Sequence, residues 1–175
     1  MLAFHNANLW SLVIGFAVAL TGEVIRLWGV SWTGSETRTT GAAGGTFLII
    51  SGPFAYVRNP LYIGNILLYL GLGIMSFALF PYLQIIAICF FLWQYHAIIK
   101  YEEKYLQNKF GNNYTEYTKK VRSIIPRITP YKNSGVDQPP FNIKAGLRSE
   151  KRSMQAFISI SLVIIIIWAI KAYNL

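Results

Sequence analysis

The sequence predicts an all-α membrane protein, a bundle of about four transmembrane helices, on three grounds. First, 54% of the 175 residues are hydrophobic and 13% are charged, whereas a soluble domain has about 25% charged residues. Second, several apolar runs approach or exceed the roughly 20 residues needed to cross a bilayer. Third, most of the net charge of +9 lies in one stretch of the chain. This composition excludes an ordinary water-soluble enzyme.

The first predicted span is Leu9 to Val30, which has no basic segment before it and is too long for a signal peptide. Ser31 to Gly45 is rich in Gly, Ser and Thr and is predicted to be a loop. The apolar run Phe47 to Ile50 is too short to cross a membrane. We expect it to pack on the helices at the membrane surface.

The next apolar stretch is nearly twice the length of one span and contains a proline. We interpret it as two helices, Leu61 to Leu79 and Tyr82 to Ile99, separated by a turn at Phe80 and Pro81, because proline interrupts a helix. Residues 127–153 are predicted to form a cytoplasmic linker. An additional C-terminal transmembrane helix is predicted from Met154 to Ala172.

The stretch from Lys100 to Arg152 contains 12 of the 16 basic residues and five of the seven acidic ones. Basic loops remain on the cytoplasmic side of a membrane, which predicts that 100–153 and 31–60 face the cytoplasm and that both termini lie outside. The excess of basic over acidic residues also indicates contact with anionic membrane lipids. No nucleic-acid-binding module is recognisable, so no nucleic acid partner is expected. The absence of eukaryotic targeting signals favours a prokaryotic inner membrane.

Residues typical of metal or redox sites are few. Cys89 is the single cysteine, which rules out an intramolecular disulfide, and it lies in an apolar run. His5 and His96 do not form metal-ligand spacing with it. No metal site is predicted.

The junction before the second predicted helix has features of a ligand site. Pro60 is suited to a first helical turn, and Asn59 to capping the free amides. A helix N-terminus with Arg58 beside it is suited to binding a carboxylate or phosphate. The alternative is an interfacial anchor in which Arg58 contacts lipid headgroups.

Glu102 and Glu103 follow the third predicted helix. Adjacent residues on a helix point about 100° apart, so one carboxylate can face the bundle, where it is costly unless a cation meets it. The alternative is a solvated juxtamembrane helix. In an antiparallel hairpin the segment 59–62 and Glu102 become neighbours. Together they would complement an amino acid zwitterion, such as the methionyl part of S-adenosylmethionine.

The string Leu48 to Tyr62, with Gly52-Pro53-Phe54 and Arg58-Asn59-Pro60, followed by the paired glutamates, resembles the isoprenylcysteine carboxyl methyltransferase and phospholipid methyltransferase superfamily. Its members are integral-membrane enzymes that use S-adenosylmethionine. The resemblance implies a single integral-membrane domain, 1–175, with its methyltransferase core at 46–126. It also implies cofactor contacts from Thr46, Phe47, Leu48, Ile49, Phe54, Asn59, Pro60, Leu61, Tyr62 and Glu102.

Three positions depart from the pattern of this superfamily. Asn59 stands where many members have histidine, and an amide can donate a hydrogen bond but cannot titrate. Phe54 replaces a usual tyrosine. Ile98 occupies the position of an arginine that meets the substrate in the isoprenylcysteine enzymes, so the guanidinium suited to a carboxylate is missing.

The predicted acceptor is a lipid-like or small hydrophobic molecule bearing an amine, carboxylate, thiol or hydroxyl group. For an amine, Glu103 and His96 are candidate bases, with Arg58 as a further catalytic candidate. A packed or interfacial histidine is the alternative for His96.

Substrate binding is predicted for Glu23, Arg26 and Arg38. Glu23 and Arg26 are three residues apart and can share a helix face, where they could contact a headgroup together with Arg38. The alternative is an internal salt bridge with Arg26 reaching to the surface.

Two other functions are open alternatives to the methyltransferase. The first is an NADPH-dependent membrane enzyme of the sterol-reductase type, which would need more basic and Gly-rich loop surface for its larger dinucleotide. The second is a non-catalytic lipid-binding membrane protein. Binding of an adenosyl ligand or of NADPH separates the three functions.

Overall fold

In the computed structural model, which describes residues 6–34 and 46–173, the chain is helical. A 3-10 helix, Gly52–Ala55, lies before the second α-helix. The α-helices of the described residues are α1 (Leu9–Thr33), α2 (Pro60–Ser76), α3 (Tyr82–Phe110), α4 (Asn112–Lys120) and α5 (Ile143–Tyr173). The all-α prediction is confirmed.

Each of the four predicted spans corresponds to a helix. Among the described residues, α1, α3 and α5 are long and apolar enough to cross a membrane. The apolar α2 is shorter, with 17 residues. At 1.5 Å per residue it is about 25 Å long, slightly less than the hydrocarbon thickness of about 30 Å.

Helix α1 ends at Thr33, beyond the predicted end at Val30. The start of the predicted loop is therefore helical, and the Ser31 hydroxyl donates a hydrogen bond to the Leu27 carbonyl at 2.6 Å. This bond, made within the helix, satisfies a polar side chain that otherwise favours a loop. Residues 35–45 of the predicted loop lie outside the described residues.

Helix α3 continues to Phe110, well past the predicted end at Ile99. No glycine or proline interrupts the chain until Gly111, which has a positive φ of 53° and separates α3 from α4. Helix α4 was absent from the predicted elements. Its sequence signal is the pair Tyr114 and Tyr117, three residues apart and both buried.

Helix α5 begins at Ile143 and so extends in the N-terminal direction beyond the predicted transmembrane segment, Met154 to Ala172, which it contains. The side-chain oxygen of Asn142 accepts a hydrogen bond from the Ala145 amide at 3.0 Å, which is an N-terminal cap. The predicted linker 127–153 therefore ends at Asn142. The basic stretch that follows it forms the first turns of α5.

The chain divides into two compact units. The first consists of Met1–Val24, Gly64–Trp93 and Lys151–Leu175. Gly71 in α2 lies against the backbone of Ala19 in α1, a closeness that leaves no room for a side chain. The buried core of this unit consists of Leu12, Ala19, Leu68, Leu72, Met75, Phe157 and Ile164.

The second unit consists of Ile25–Ile63 and Gln94–Glu150. Its core joins the extended segment before the 3-10 helix to α4, so Leu48 and Ile50 of the short apolar run pack on a helix. This core contains Leu48, Ile50, Tyr114, Tyr117 and Val121. The junction motif and the paired glutamates therefore belong to one compact unit.

Candidate functional site

The chain enters α2 along the segment that follows α4. The backbone amide of Arg58 donates to the Arg122 carbonyl at 3.0 Å, and that of Asn59 donates to the Ser123 carbonyl at 3.2 Å. Pro60, the first residue of α2, is buried and has no amide hydrogen to satisfy. The start of the helix is thus fixed by backbone contacts with a segment more than sixty residues away.

Tyr62 in the first turn of α2 contacts Glu102 in α3. The Tyr62 hydroxyl donates to Oε1 of Glu102 at 2.9 Å, and its ring stacks on Tyr95 with centroids 4.4 Å apart. The predicted proximity of the 59–62 segment and Glu102 is confirmed. The Glu102 side chain is half-buried, and among the described residues it forms no salt bridge.

Glu103 forms a salt bridge with Arg58, whereas Glu102 does not. Its Oε1 accepts from Nε of Arg58 at 3.0 Å and from Nη2 at 2.6 Å. Nη1 of Arg58 donates to the Val121 carbonyl at 2.7 Å. Arg58 therefore joins α3 to the end of α4, and these contacts use all three nitrogen atoms of its guanidinium.

Asn59 uses its side chain differently from the predicted helix cap. Its Nδ2 donates to the Ser123 hydroxyl at 2.9 Å and to the Ser123 carbonyl at 3.1 Å. Its backbone carbonyl accepts from the Ile63 amide at 3.3 Å. The side-chain nitrogen is a donor and pairs with the oxygen atoms of Ser123, so the side chain ties the start of α2 to the segment after α4.

Gln138 holds the predicted cofactor-contacting segment Thr46 to Ile49 in place. Its Nε2 donates to the Leu48 carbonyl at 2.8 Å, and its Oε1 accepts from the Ile50 amide at 2.8 Å. The side-chain amide acts as a strand partner, which leaves Leu48 and Ile50 buried while Phe47 is exposed and Ile49 is half-buried. Sequence reasoning missed Gln138, because a single glutamine in a loop has no distinctive local signal.

Phe54 is held by Tyr117 of α4. Its carbonyl accepts a hydrogen bond from the Tyr117 hydroxyl at 2.7 Å. A tyrosine hydroxyl is protonated at neutral pH, and burial raises the pKa of Tyr117 and of Tyr114 further, so the Tyr117 hydroxyl acts as a donor. Leu61, the remaining member of the predicted set, is half-buried in the first turn of α2.

His96 is exposed on α3, next to the buried Tyr95. It does not lie on the helix face that carries Tyr95 and Glu102, and its proposed role as a base stays a prediction. Among the described residues, no group of three or more His, Cys, Asp or Glu side chains is arranged to hold a metal ion.

The structure places the predicted headgroup residues in two different environments. Glu23 is buried, and its Oε2 accepts from the Ser153 hydroxyl at 3.0 Å. Arg26 donates from Nε to Oε2 of the buried Glu150 at 3.1 Å. Arg38 lies outside the described residues. Substrate binding by these residues stays a prediction.

Comparison with known proteins shows similarity to one enzyme family and to metal-resistance proteins. The chain is 27% identical to the cobalt-zinc-cadmium resistance protein CzcN of Cupriavidus metallidurans over 147 residues, covering 73% of this chain and 67% of that protein. It is 31% identical to the protein-S-isoprenylcysteine O-methyltransferase of Xenopus laevis over 123 residues, 68% of this chain and 42% of that one.

A match over a shorter stretch has a higher sequence identity. The chain is 37% identical to the protein-S-isoprenylcysteine O-methyltransferase of Schizosaccharomyces pombe over 82 residues, 46% of this chain and 34% of that protein. No solved structure matches the chain significantly. The family model described as phospholipid methyltransferase matches residues 10–113. Since this match covers more than half of the chain, the protein belongs to the phospholipid methyltransferase family of membrane proteins, as the resemblance implied.

Proposed function

We propose that this protein transfers a methyl group from S-adenosylmethionine to a lipid-like acceptor within the membrane. The observation that carries the proposal is the half-buried carboxylate of Glu102, oriented by the Tyr62 hydroxyl at 2.9 Å and lacking a salt bridge among the described residues. A carboxylate near a membrane-buried site is costly unless a cation meets it. The positive charge of the methyl donor supplies that cation.

The adjacent carboxylate of Glu103 is a useful contrast. Arg58 already neutralises it, so it does not require a cation from a ligand. In this proposal Glu102 binds the cofactor, and the Arg58–Glu103 pair positions α3 and α4 around it. A direct catalytic role for either member of the pair would require one of them to leave its partner.

The residues proposed to hold the cofactor fit its chemistry. The carboxylate of Glu102 suits the ammonium group, and the first turn of α2 suits the carboxylate group. When bound, S-adenosylmethionine supplies an electrophilic methyl group on a positively charged sulfur. The remaining proposed contacts are Thr46, Phe47, Leu48, Ile49, Phe54, Asn59, Pro60, Leu61 and Tyr62.

For the transfer itself, the protein mainly has to align the donor with the acceptor and exclude water. No strong base is needed for that alignment. His96 is exposed, and Glu103 is paired. We therefore favour acceptors that can react without a dedicated protein base, such as a thiolate or a neutral amine, over a carboxylate, because Ile98 replaces the arginine suited to a carboxylate.

Isothermal titration of the purified protein in detergent with S-adenosylhomocysteine tests the cofactor proposal. We expect binding by the wild type, loss of binding in Glu102→Gln, and no binding of NADPH. Glu116→Gln is the matched control, because Glu116 is an exposed acid on α4. A correctly folded wild-type protein that does not bind the adenosyl ligand would overturn the proposal. Binding of NADPH instead would favour the reductase alternative.

The acceptor is tested separately. The protein is incubated with isotopically labelled S-adenosylmethionine and a lipid extract, and the labelled products are resolved by mass spectrometry. We expect the label in a lipid-like molecule. If the adenosyl ligand binds but no lipid is labelled, the lipid acceptor is wrong while cofactor binding stands.

A further inference from the structure

Three isoleucines project from the segment that follows α4. Residues 122–130, named here the isoleucine loop, contain Ile124, Ile125 and Ile128, whose exposed fractions are 41%, 60% and 97%. Isolated exposed apolar residues are common on protein surfaces, but contiguous ones mark interaction sites. In this loop three large aliphatic side chains are exposed within five consecutive residues.

Backbone hydrogen bonds hold the loop against the segment that precedes α2. Its first residues accept from the amides of Arg58 and Asn59, as described for the site. Further along, the amide of Arg127 donates to the Tyr56 carbonyl at 2.9 Å, and that of Tyr131 donates to the Ala55 carbonyl at 2.8 Å. These bonds lie on both sides of the three isoleucines along the chain.

Basic residues flank the isoleucines in the sequence. No acidic residue occurs between positions 117 and 136, whereas this stretch contains Lys119, Lys120, Arg122, Arg127 and Lys132. Lys119, Lys120 and Arg122 are exposed. A surface that combines aliphatic side chains with positive charge complements an anionic lipid surface.

The position of the loop along the chain places it near the edge of the bilayer. It is bonded to residues 55–59, which lead directly into Pro60, the first residue of the apolar α2. With α2 crossing the bilayer, as the sequence predicts, the residues immediately before it lie close to the boundary between the hydrocarbon and the headgroups.

We propose that the isoleucine loop inserts Ile124, Ile125 and Ile128 into the interface of an anionic bilayer, with the neighbouring bases on the headgroups. The proposal does not depend on the identity of the methyl acceptor. It assigns this loop an anchoring role that complements the membrane-spanning helices.

Site-directed fluorescence tests this insertion. The single native cysteine is replaced by Cys89→Ser, and Ile128→Cys is labelled with an environment-sensitive fluorophore in nanodiscs that contain phosphatidylglycerol. Ile125→Cys is a second probe site. Ser134→Cys is the control, because Ser134 is an exposed polar residue in a turn outside the loop.

We expect labels at 128 and 125 to be blue-shifted and quenched severalfold more by spin-labelled lipid than by aqueous iodide, with the opposite preference at 134. Equal access of iodide to 128, 125 and 134 would overturn the proposal. Protection of 128 and 125 from both quenchers would also overturn it, because it would mean that protein, such as a second copy of the chain, covers the loop. Nanodiscs without anionic lipid should give weaker lipid quenching, and unchanged quenching would refute the contribution of charge.

Discussion

Glu102 and Glu103 are chemically identical side chains with different surroundings. Tyr62 donates a hydrogen bond to one, and Arg58 forms a salt bridge with the other. The difference arises because adjacent helical residues point in directions about 100° apart. Glu102 faces Tyr62, and Glu103 faces the guanidinium of Arg58.

Tyr62→Phe tests the orientation of Glu102. The substitution removes the hydroxyl but keeps the ring that stacks on Tyr95. Without this hydrogen bond the carboxylate of Glu102 is less well preorganised for the ligand, so we expect the affinity for S-adenosylhomocysteine to fall severalfold. Isothermal titration measures the change. Tyr69→Phe, an exposed position in α2, should leave the affinity unchanged, and an equal loss in both variants would contradict this role.

The Arg58–Glu103 pair should contribute to stability. Its side chains are 14% and 29% exposed, so water screens the pair only in part. We expect Arg58→Met and Glu103→Leu each to lower the free energy of unfolding, and the double variant to lose less than the sum, with a coupling energy of about 1–3 kcal/mol. Denaturant unfolding in detergent measures all three. Simple additivity would show that the pair does not stabilise the fold.

Among the secondary-structure elements, α1 and α2 approach closely within the first unit because glycines line their contact. A side chain at Gly71 would collide with the backbone of Ala19, which cannot move as a flexible side chain can. Close backbone approach through small residues is typical of helices packed in membranes. This packing depends on individual glycines rather than on the overall hydropathy of the helices.

Gly71→Ala should therefore destabilise the protein although alanine favours helix. We expect the free energy of unfolding to fall by about 1–3 kcal/mol from overpacking. Gly73→Ala in the same helix is the control, since its added atom would lie 3.6 Å from the nearest neighbour, Gln84. Unfolding in detergent should show Gly73→Ala neutral or slightly stabilised, and a neutral Gly71→Ala would contradict the packing described.

The extended segment at 48–50 depends on a single side chain from a distant loop. Gln138→Leu would remove the partners of the Leu48 carbonyl and the Ile50 amide, and each buried unsatisfied group costs about 1–3 kcal/mol. We expect a comparable loss of stability, measured by denaturant unfolding. Gln155→Leu, an exposed position on α5, should be near neutral. Equal stability of the two variants would show that Gln138 is dispensable.

For the protein as a whole, the distribution of basic residues and the lengths of the apolar helices together govern its orientation in the membrane. The basic stretch from 100 to 152 predicts a cytoplasmic location for the site. The number of crossings depends on α2, whose 17 residues are fewer than a standard span. A short helix can still cross if the bilayer thins locally. With α2 crossing, both termini lie on the same side.

The accessibility of single introduced cysteines measures this orientation. The variants are made in the Cys89→Ser protein and expressed in intact cells. We expect a membrane-impermeant maleimide to label Asn6→Cys and Tyr173→Cys from outside, and Ser134→Cys only after permeabilisation, because four crossings return the chain to its starting side. Labelling at 6 and not at 173 would mean that α2 does not cross.

The apolar runs were sufficient to predict the all-α architecture and the positions of the four principal helices, because burial in lipid requires long apolar segments with internally satisfied backbone groups. They did not predict α4 or the early start of α5, both of which are rich in polar residues and lie between apolar runs. The junction motif and Glu102 were identified from residue type and spacing, and the family match confirmed the resemblance that implied their site.

The pairing of side chains could be determined only from the three-dimensional contacts. Nothing local to the chain distinguishes Glu102 from Glu103, directs Arg58 to the end of α4 or brings Gln138 to Leu48 and Ile50. Sequence spacing fixes which residues share a helix face, whereas hydrogen bonds between segments separated by forty to ninety residues depend on how those segments pack. The kind of protein therefore follows from composition and motif, and the division of roles within its site follows from tertiary packing.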